Sequence, residues 1–284
     1  MACRGPLEVP TDPGPFAPNF VLGPIWDDGQ AELASYRVEL DEVEGPEFSL
    51  GTIVVKQAYD PARESKAEGP GIDAFKWIVH FRRSVGLEEL HHAHVANLAR
   101  PSLLVLKSSH TSFDGCSNRY QEVVRRGSRL ESLERSDDYG NAEGQGSQVS
   151  AHPIAALPLL VRGLDFGRLT SAELTLVADD GRTTRATITK SARVPMTQGD
   201  QEFSVDELRV TFDPPRQLPW GDAPTGAEVY WVGDGPERPL YGWRDAGGGY
   251  RIVRERLRRA AYWEVDPRPK SIDVPPDAST MDPR

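Results

Sequence analysis

The sequence predicts a mainly β protein, a large curved antiparallel sheet or open half-barrel with one buried short helix. Three observations carry this expectation. Residues 226–253, GAEVYWVGDGPERPLYGWRDAGGGYRIV, alternate aromatic and β-branched residues between Gly-Asp-Gly-Pro and Asp-Ala-Gly-Gly-Gly breaks, the pattern of an antiparallel meander. The 26 glycines and 24 prolines suit many short strands joined by turns. One stretch alone, residues 154–163, reads as a helix, and it is apolar nearly all round, as a helix buried against a sheet should be.

In chain order, residues 1–20 carry Pro6, Pro10, Pro13, Pro15 and Pro18 and read as an extended linker. Asp28-Gly29 then turns into a strand whose Glu32, Ala34, Tyr36, Val38 and Leu40 share one face and become apolar towards the end. Residues 50–58 run through Ile53, Val54 and Val55 without a break, as a strand buried on both faces does. A polar loop is expected at 60–71. Residues 75–81 and 102–108 read as strands. Between them 87–99 combines helical spacing with good helix formers, and a short helix or an exposed loop are both open there.

Residues 120–125 and 129–135 suggest a hairpin around Gly127, and 136–150, rich in Asp, Gly, Ser and Gln, a mobile loop. In the helix, Pro153 suits the first turn and Gly163 the end, while Pro158 divides it into two short pieces. Further strands are expected at 172–178, 183–194 and 202–212, followed by those of the meander, about ten in all. The division is then one β domain over 21–265, in sheet halves of about 25–135 and 165–256, and a proline-rich tail over 266–284.

A chain of 284 residues can bury roughly 75% of its unfolded surface without disulfide or metal staples. The net charge of −10 argues against nucleic acid, which needs a concentrated basic surface. Arg254, Arg256, Arg258 and Arg259 are interrupted by Glu255 and read as a solvated strand face. No run of 18 apolar residues spans a membrane. The two cysteines, Cys3 and Cys116, make no disulfide framework. Cys3 follows Ala2 and precedes a Pro-rich tether, which looks like the end of a bacterial lipoprotein signal. The expectation is an envelope or periplasmic protein touching membrane only through a lipidated Cys3; the bland alternative is an ordinary N-terminus.

Trp26, Gly29, Ala31, Glu32 and Tyr36 form a Trp-x-x-Gly-x-Ala-Glu-x-x-x-Tyr opening; Gly51 leads a strand, Val-Leu-Lys ends at Lys107, and an aromatic turn region spans 113–120. This order resembles a group of bacterial envelope proteins of unknown function. The second half, with Leu-Pro-Leu at 157–159, Leu-Asp-Phe at 164–166 and the Tyr-Trp meander, is similar to proteins related to the periplasmic lipoprotein carriers. The resemblance covers about residues 25–256. It implies an open curved antiparallel sheet around helices, with lipid held on the concave face, and it implies no mechanism.

Candidate chemistry is sparse. On a strand, His92 and His94 of the His91-His92-x-His94 cluster would face one side, where they could share a metal; Glu88 and Glu89 are near but lack ligand spacing, so no metal site is assigned. Ser108, Ser109, Ser112 and Cys116 lie beside His110, yet no Gly-x-Ser-x-Gly elbow exists and no catalytic residue is assigned. Gly247-Gly248-Gly249 lies between strands, with no helix N-terminus to receive phosphate, and no cofactor is expected.

A ten-residue helix is only about 15 Å long, whereas ten strands spread over about 48 Å. One helix then leaves part of the concave face open, and a ligand groove is expected near Trp26, Tyr36 and Lys107, with Arg82 and Lys107 as headgroup anchors. The expected function is a non-enzymatic carrier of an apolar or lipid-like molecule, and the alternative is a structural or interaction module with an envelope protein partner. A metal-dependent hydrolase is a distant third.

Overall fold

The first and last strands of the sheet in sequence are neighbours in space, and everything else follows from that pairing. A computed structural model describes residues 9–40, 48–60, 65–66, 72–85, 88–113, 117–137, 140–146, 150–198, 201–218 and 221–261. The strands are β1 (Gln30–Leu40), β2 (Phe48–Asp60), β3 (Ser65–Lys66), β4 (Ile72–Val85), β5 (Glu88–Ala99), β6 (Val105–Phe113), β7 (Asn118–Arg126) and β8 (Arg129–Ser136). They continue as β9 (Gly140–Gly146), β10 (His152–Pro153), β11 (Ser171–Val177), β12 (Thr183–Gln198), β13 (Gln201–Leu218), β14 (Gly221–Val232), β15 (Leu240–Asp245) and β16 (Tyr250–Ala261). Two helices, α1 (Pro18–Val21) and α2 (Leu157–Gly163), and 3-10 turns at Pro24–Asp27 and Ile154–Ala156 complete the described elements.

All sixteen strands belong to one sheet, ordered β10-β11-β12-β13-β14-β15-β16-β1-β2-β4-β5-β6-β7-β8-β9, with β3 hanging on β2. The ladder pairs are antiparallel except β10–β11. The β1–β16 ladder runs from Gln30↔Ala261 to Leu40↔Tyr250 and joins the two expected sheet halves into a continuous surface. The sheet curls until its β10 end meets β6, where the Val105 N–H donates to the Ala151 carbonyl at 3.0 Å. No ladder forms there, so the barrel stays open. Beyond the seam, β7 and β8 lap over β11: Val177 turns away from the main core and packs with Val105, Val123 and Leu130.

Strand alternation sorts the side chains. Ala34, Tyr36 and Val38 of β1 face inwards, as their shared parity predicts, and join Phe75, Trp77, Val79 and Phe81 of β4 and Leu208, Val210 and Phe212 of β13 in the core. The opposite parity is also partly apolar, and Ala31 and Leu33 pack with Ile78 and Val95 on the outer face. Leu157, Leu159, Leu160 and Val161 of α2 are completely buried inside the curve. Pro158 sits in the first turn of α2, where it sacrifices no hydrogen bond, so the two helical pieces meet before it. Gly163 is needed for close packing, since a Cβ there would stand 3.0 Å from Phe16 Cδ1.

The linker expectation fails for residues 13–20. Phe16 and Phe20 are buried in the core, the Ala17 N–H donates to the Gly163 carbonyl at 2.8 Å, and Pro18 opens α1 rather than extending the chain. This segment and the turn bearing Trp26 cover inner-face area that α2 cannot reach. Of the stretch 87–99, Glu88–Ala99 is strand, neither helix nor loop, because pairing on both sides with β4 and β6 overrides local helix propensity, while residue 87 lies outside the described residues. Part of the expected mobile loop, Gly140–Gly146, pairs with β8 over its whole length. Leu103 turns the chain at φ 51°, so the strand expected from residue 102 starts at Val105. The side chains of Ile53, Val54 and Val55, and all of residues 262–284, lie outside the described residues.

Candidate functional site

The residues expected to line a groove are not brought together. Trp26 is 3% exposed, with its ring edge-on to Phe20 and Phe75 and its Nε1–H donating to the Phe20 carbonyl at 2.7 Å. Tyr36 is equally buried, edge-on to Trp243 at 5.4 Å. Lys107 pairs with Asn97 and Val124, on the face of β6 opposite to Ser108, so the sheet separates it from both aromatics. Its Nζ lies 2.5 Å from Glu122 Oε2. The Arg82 side chain and Cys3 lie outside the described residues.

The structure gathers polar groups at the seam instead. His94 and His110 are cross-strand partners on β5 and β6, with rings stacked 4.1 Å apart. His92 shares their face, its Nδ1 3.0 Å from His110 Nε2. Across the seam comes Asp179, from the turn after β11: its Oδ2 lies 2.9 Å from His94 Nδ1, and its Oδ1 accepts from Ser108 Oγ. Burial, then the neighbouring His94 and His92, push His110 down to about 2, so it stays neutral near pH 7.

His92 and His94 do face one side, each with its ring stacked on His110, and their Nδ1 atoms are engaged by His110 and Asp179 respectively. Among the described residues no group of three or more His, Cys, Asp or Glu could hold a metal ion. Ser108 donates to Asp179 and not to a histidine, so the hydroxyl lacks the base that would activate it as a nucleophile. The histidine face was legible once 87–99 is read as a strand; Asp179, 85 residues from His94, carried no sequence signal.

Two further buried polar sets face inwards. Glu228 is fully buried and accepts from Tyr230 Oη at 2.5 Å, from Tyr250 Oη and from Arg216 Nη2. Burial and then Glu228 itself raise both tyrosines, which keeps them hydrogen-bond donors. In α2, Arg162 is 1% exposed and grips Glu32 with both Nη atoms at 2.6 and 2.8 Å. It also donates to the carbonyls of Arg238 and Glu237. In both sets the guanidinium charge meets a carboxylate, although Arg216 Nε has no hydrogen-bond partner, and both read as internal fastenings.

Arg125, on the inner face of β7, differs. It is 3% exposed, its one hydrogen bond runs from Nε to the Val105 carbonyl at 2.8 Å, and its Nη2 is buried without a partner. Nearby His152 sits with Nδ1 2.8 Å from the Leu103 carbonyl and is pushed down to about 4, first by burial.

Among the described residues the strand order ends at β9, which pairs with β8 from Leu130↔Gly146 to Ser136↔Gly140. Residues 190–198 of β12 also have a ladder on one side only, but they carry Lys190, Arg193 and Pro195, which blunt that stretch. Residues 140–144 are exposed. The strand GNAEGQG holds no proline or lysine and one charge, Glu143, so the usual devices that blunt an edge are missing. The opposite edge, β10, has two residues and is covered at the seam.

No protein-family model and no curated protein matches the chain. Among solved structures, the chain is similar to a β-barrel-like protein of a domain of unknown function from Brucella abortus. The two share 6% identity over 81% of this chain and 97% of that one, at a TM-score of 0.49. That likeness is too distant to speak for function.

Proposed function

We propose that this chain is a non-catalytic interaction module of the bacterial cell envelope, which receives an extended polypeptide strand along β9. The observation that carries this reading is the open edge itself. Each antiparallel strand directs alternate amide pairs outwards, and an added strand satisfies them along the whole edge. Gly140, Ala142 and Gly144 crowd nothing, so recognition rests on the backbone, and Glu143 favours a basic residue opposite it. The packing of Trp26 and Tyr36 supports the same choice, because both are used in the core and do not line the groove a lipid carrier needs. The envelope location rests on Ala2-Cys3, the Pro-rich stretch behind it and the resemblance to lipoprotein-carrier relatives.

The test places a photo-crosslinking residue at Ala142 and, as control, at Glu255 on exposed β16, in the native host. A polypeptide adduct at 142 that is missing at 255 supports the reading. Equal labelling at the two positions, or a lipid adduct at 142, contradicts it.

A further inference from the structure

Of the other guanidinium groups that are about nine-tenths buried among the described residues, three face a carboxylate and the fourth, Arg254, an aromatic ring and two neutral acceptors. Arg216 Nε and Arg254 Nε, like Arg125 Nη2, lack a hydrogen-bond partner. Arg162 has Glu32 and Arg216 has Glu228. Arg100 has Asp27. Arg254, without a carboxylate, lies 4.0 Å over the Tyr241 ring and donates to Leu240 O and Gln198 Oε1. Arg125 has a single backbone carbonyl. An isolated buried charge is costly unless it is paired, and the usual remedy of neutralisation is closed to a guanidinium. Burial does lower its pKa, and no acidic residue acts on it to offset that.

The surroundings suit an incoming anion. Nε is committed to Val105, which leaves the Nη1–Nη2 end of the fork, the edge that meets two oxygens of a carboxylate or phosphate. The wall here is the seam, where Val105 of β6 donates to the carbonyl of Ala151, just before β10, and no ladder forms. The nearby titratable group, His152, is held neutral, so it adds no second charge.

We propose that Arg125 anchors an oxyanion site at the seam, one that takes the carboxylate or phosphate group of a small ligand. The site is independent of strand docking on β9. Its ligand chemistry is shared by a free oxyanion and by the headgroup of a fatty acid, and the test separates them.

Thermal unfolding is followed for the full chain at fixed ionic strength while chloride is exchanged for inorganic phosphate, acetate or decanoate. The expected result is a saturable rise in Tm for the wild type and a flat response for Arg125→Met. A rise with phosphate or acetate assigns a free oxyanion; a rise with decanoate alone assigns a lipid carboxylate. Arg125→Met in chloride should melt no lower than wild type, because it removes an unanswered charge. Should that variant fail to fold, Arg125→Lys decides: it keeps the charge without the fork and should bind the active anion at least tenfold more weakly. No anion-specific shift in the wild type, an equal shift in Arg125→Met, or undiminished affinity in Arg125→Lys overturns the proposal.

Discussion

Asp179 pins the turn after β11 to the inner face of β5, with Oδ2 2.9 Å from His94 Nδ1 while Oδ1 accepts from Ser108. Two strands distant in the sheet order are thereby tied where no ladder exists. Asp179→Ala should leave His94 Nδ1 and Ser108 Oγ buried without an acceptor. The expected loss is about 2–4 kcal/mol, read from urea unfolding. A loss under about 0.5 kcal/mol would mean that water replaces the carboxylate and that the seam does not depend on it.

The seam should also make stability depend on pH. His110 and His152 are held at about 2 and about 4, against an ordinary 6.5 in the unfolded chain. The folded state therefore refuses protons that the unfolded state accepts. Their contribution is complete above pH 6.5 and is lost as pH falls towards 4 for His152 and towards 2 for His110. Each group costs about 1.4 kcal/mol per pH unit in that window, or about 2 kcal/mol at pH 5. Denaturation curves at pH 7.5 and 5.0 measure the sum, and His110→Gln should remove its own share. A difference unchanged by that substitution would place the proton uptake elsewhere.

Leu160 is completely buried in α2, inside the curve of the sheet. Leu160→Ala should cost about 2–5 kcal/mol, and Leu160→Asp more, since it adds an unpaired charge to the cavity. Differential scanning calorimetry reads both. A melting point within a degree or two of wild type for Leu160→Asp would place α2 at the periphery.

Glu32 and Arg162 fasten β1 to α2 through two bonds in the core. Either single change, Glu32→Gln or Arg162→Met, should cost about 3–5 kcal/mol by stranding the other charge, while the double change should recover most of that loss. Additive single losses in the double-mutant cycle would deny the coupling.

What could be read in the sequence was whatever local pattern decides. The meander was legible because Gly-Asp-Gly-Pro and Gly-Gly-Gly mark its turns, and the inward face of β1 because Ala34, Tyr36 and Val38 repeat with period two. β5 was hidden because Glu88, Glu89, Leu90 and Ala93 are helix formers, and only ladders on both sides make them strand. β9 was hidden because glycine, asparagine and glutamine have little strand preference of their own. Five prolines masked Phe16 and Phe20, whose burial shows only once Gly163 is placed beside them. Of the candidate site, the shared face of His92 and His94 was legible. The Asp179 contact and the isolation of Arg125 depend on the roll of the sheet.

Native mass spectrometry of the protein purified from its own host tests the central claim, strand docking on β9, most directly. It is run on the wild type, Asn141→Pro and Ala142→Pro. Adjacent residues alternate in the direction of their amides, so one of the two prolines removes an outward donor and leaves the β8–β9 ladder whole. The account predicts a polypeptide bound to the wild type and loss of that polypeptide in one proline variant that still melts like wild type. A lipid-sized adduct present in all three proteins, with no polypeptide on any, would contradict it and restore the carrier.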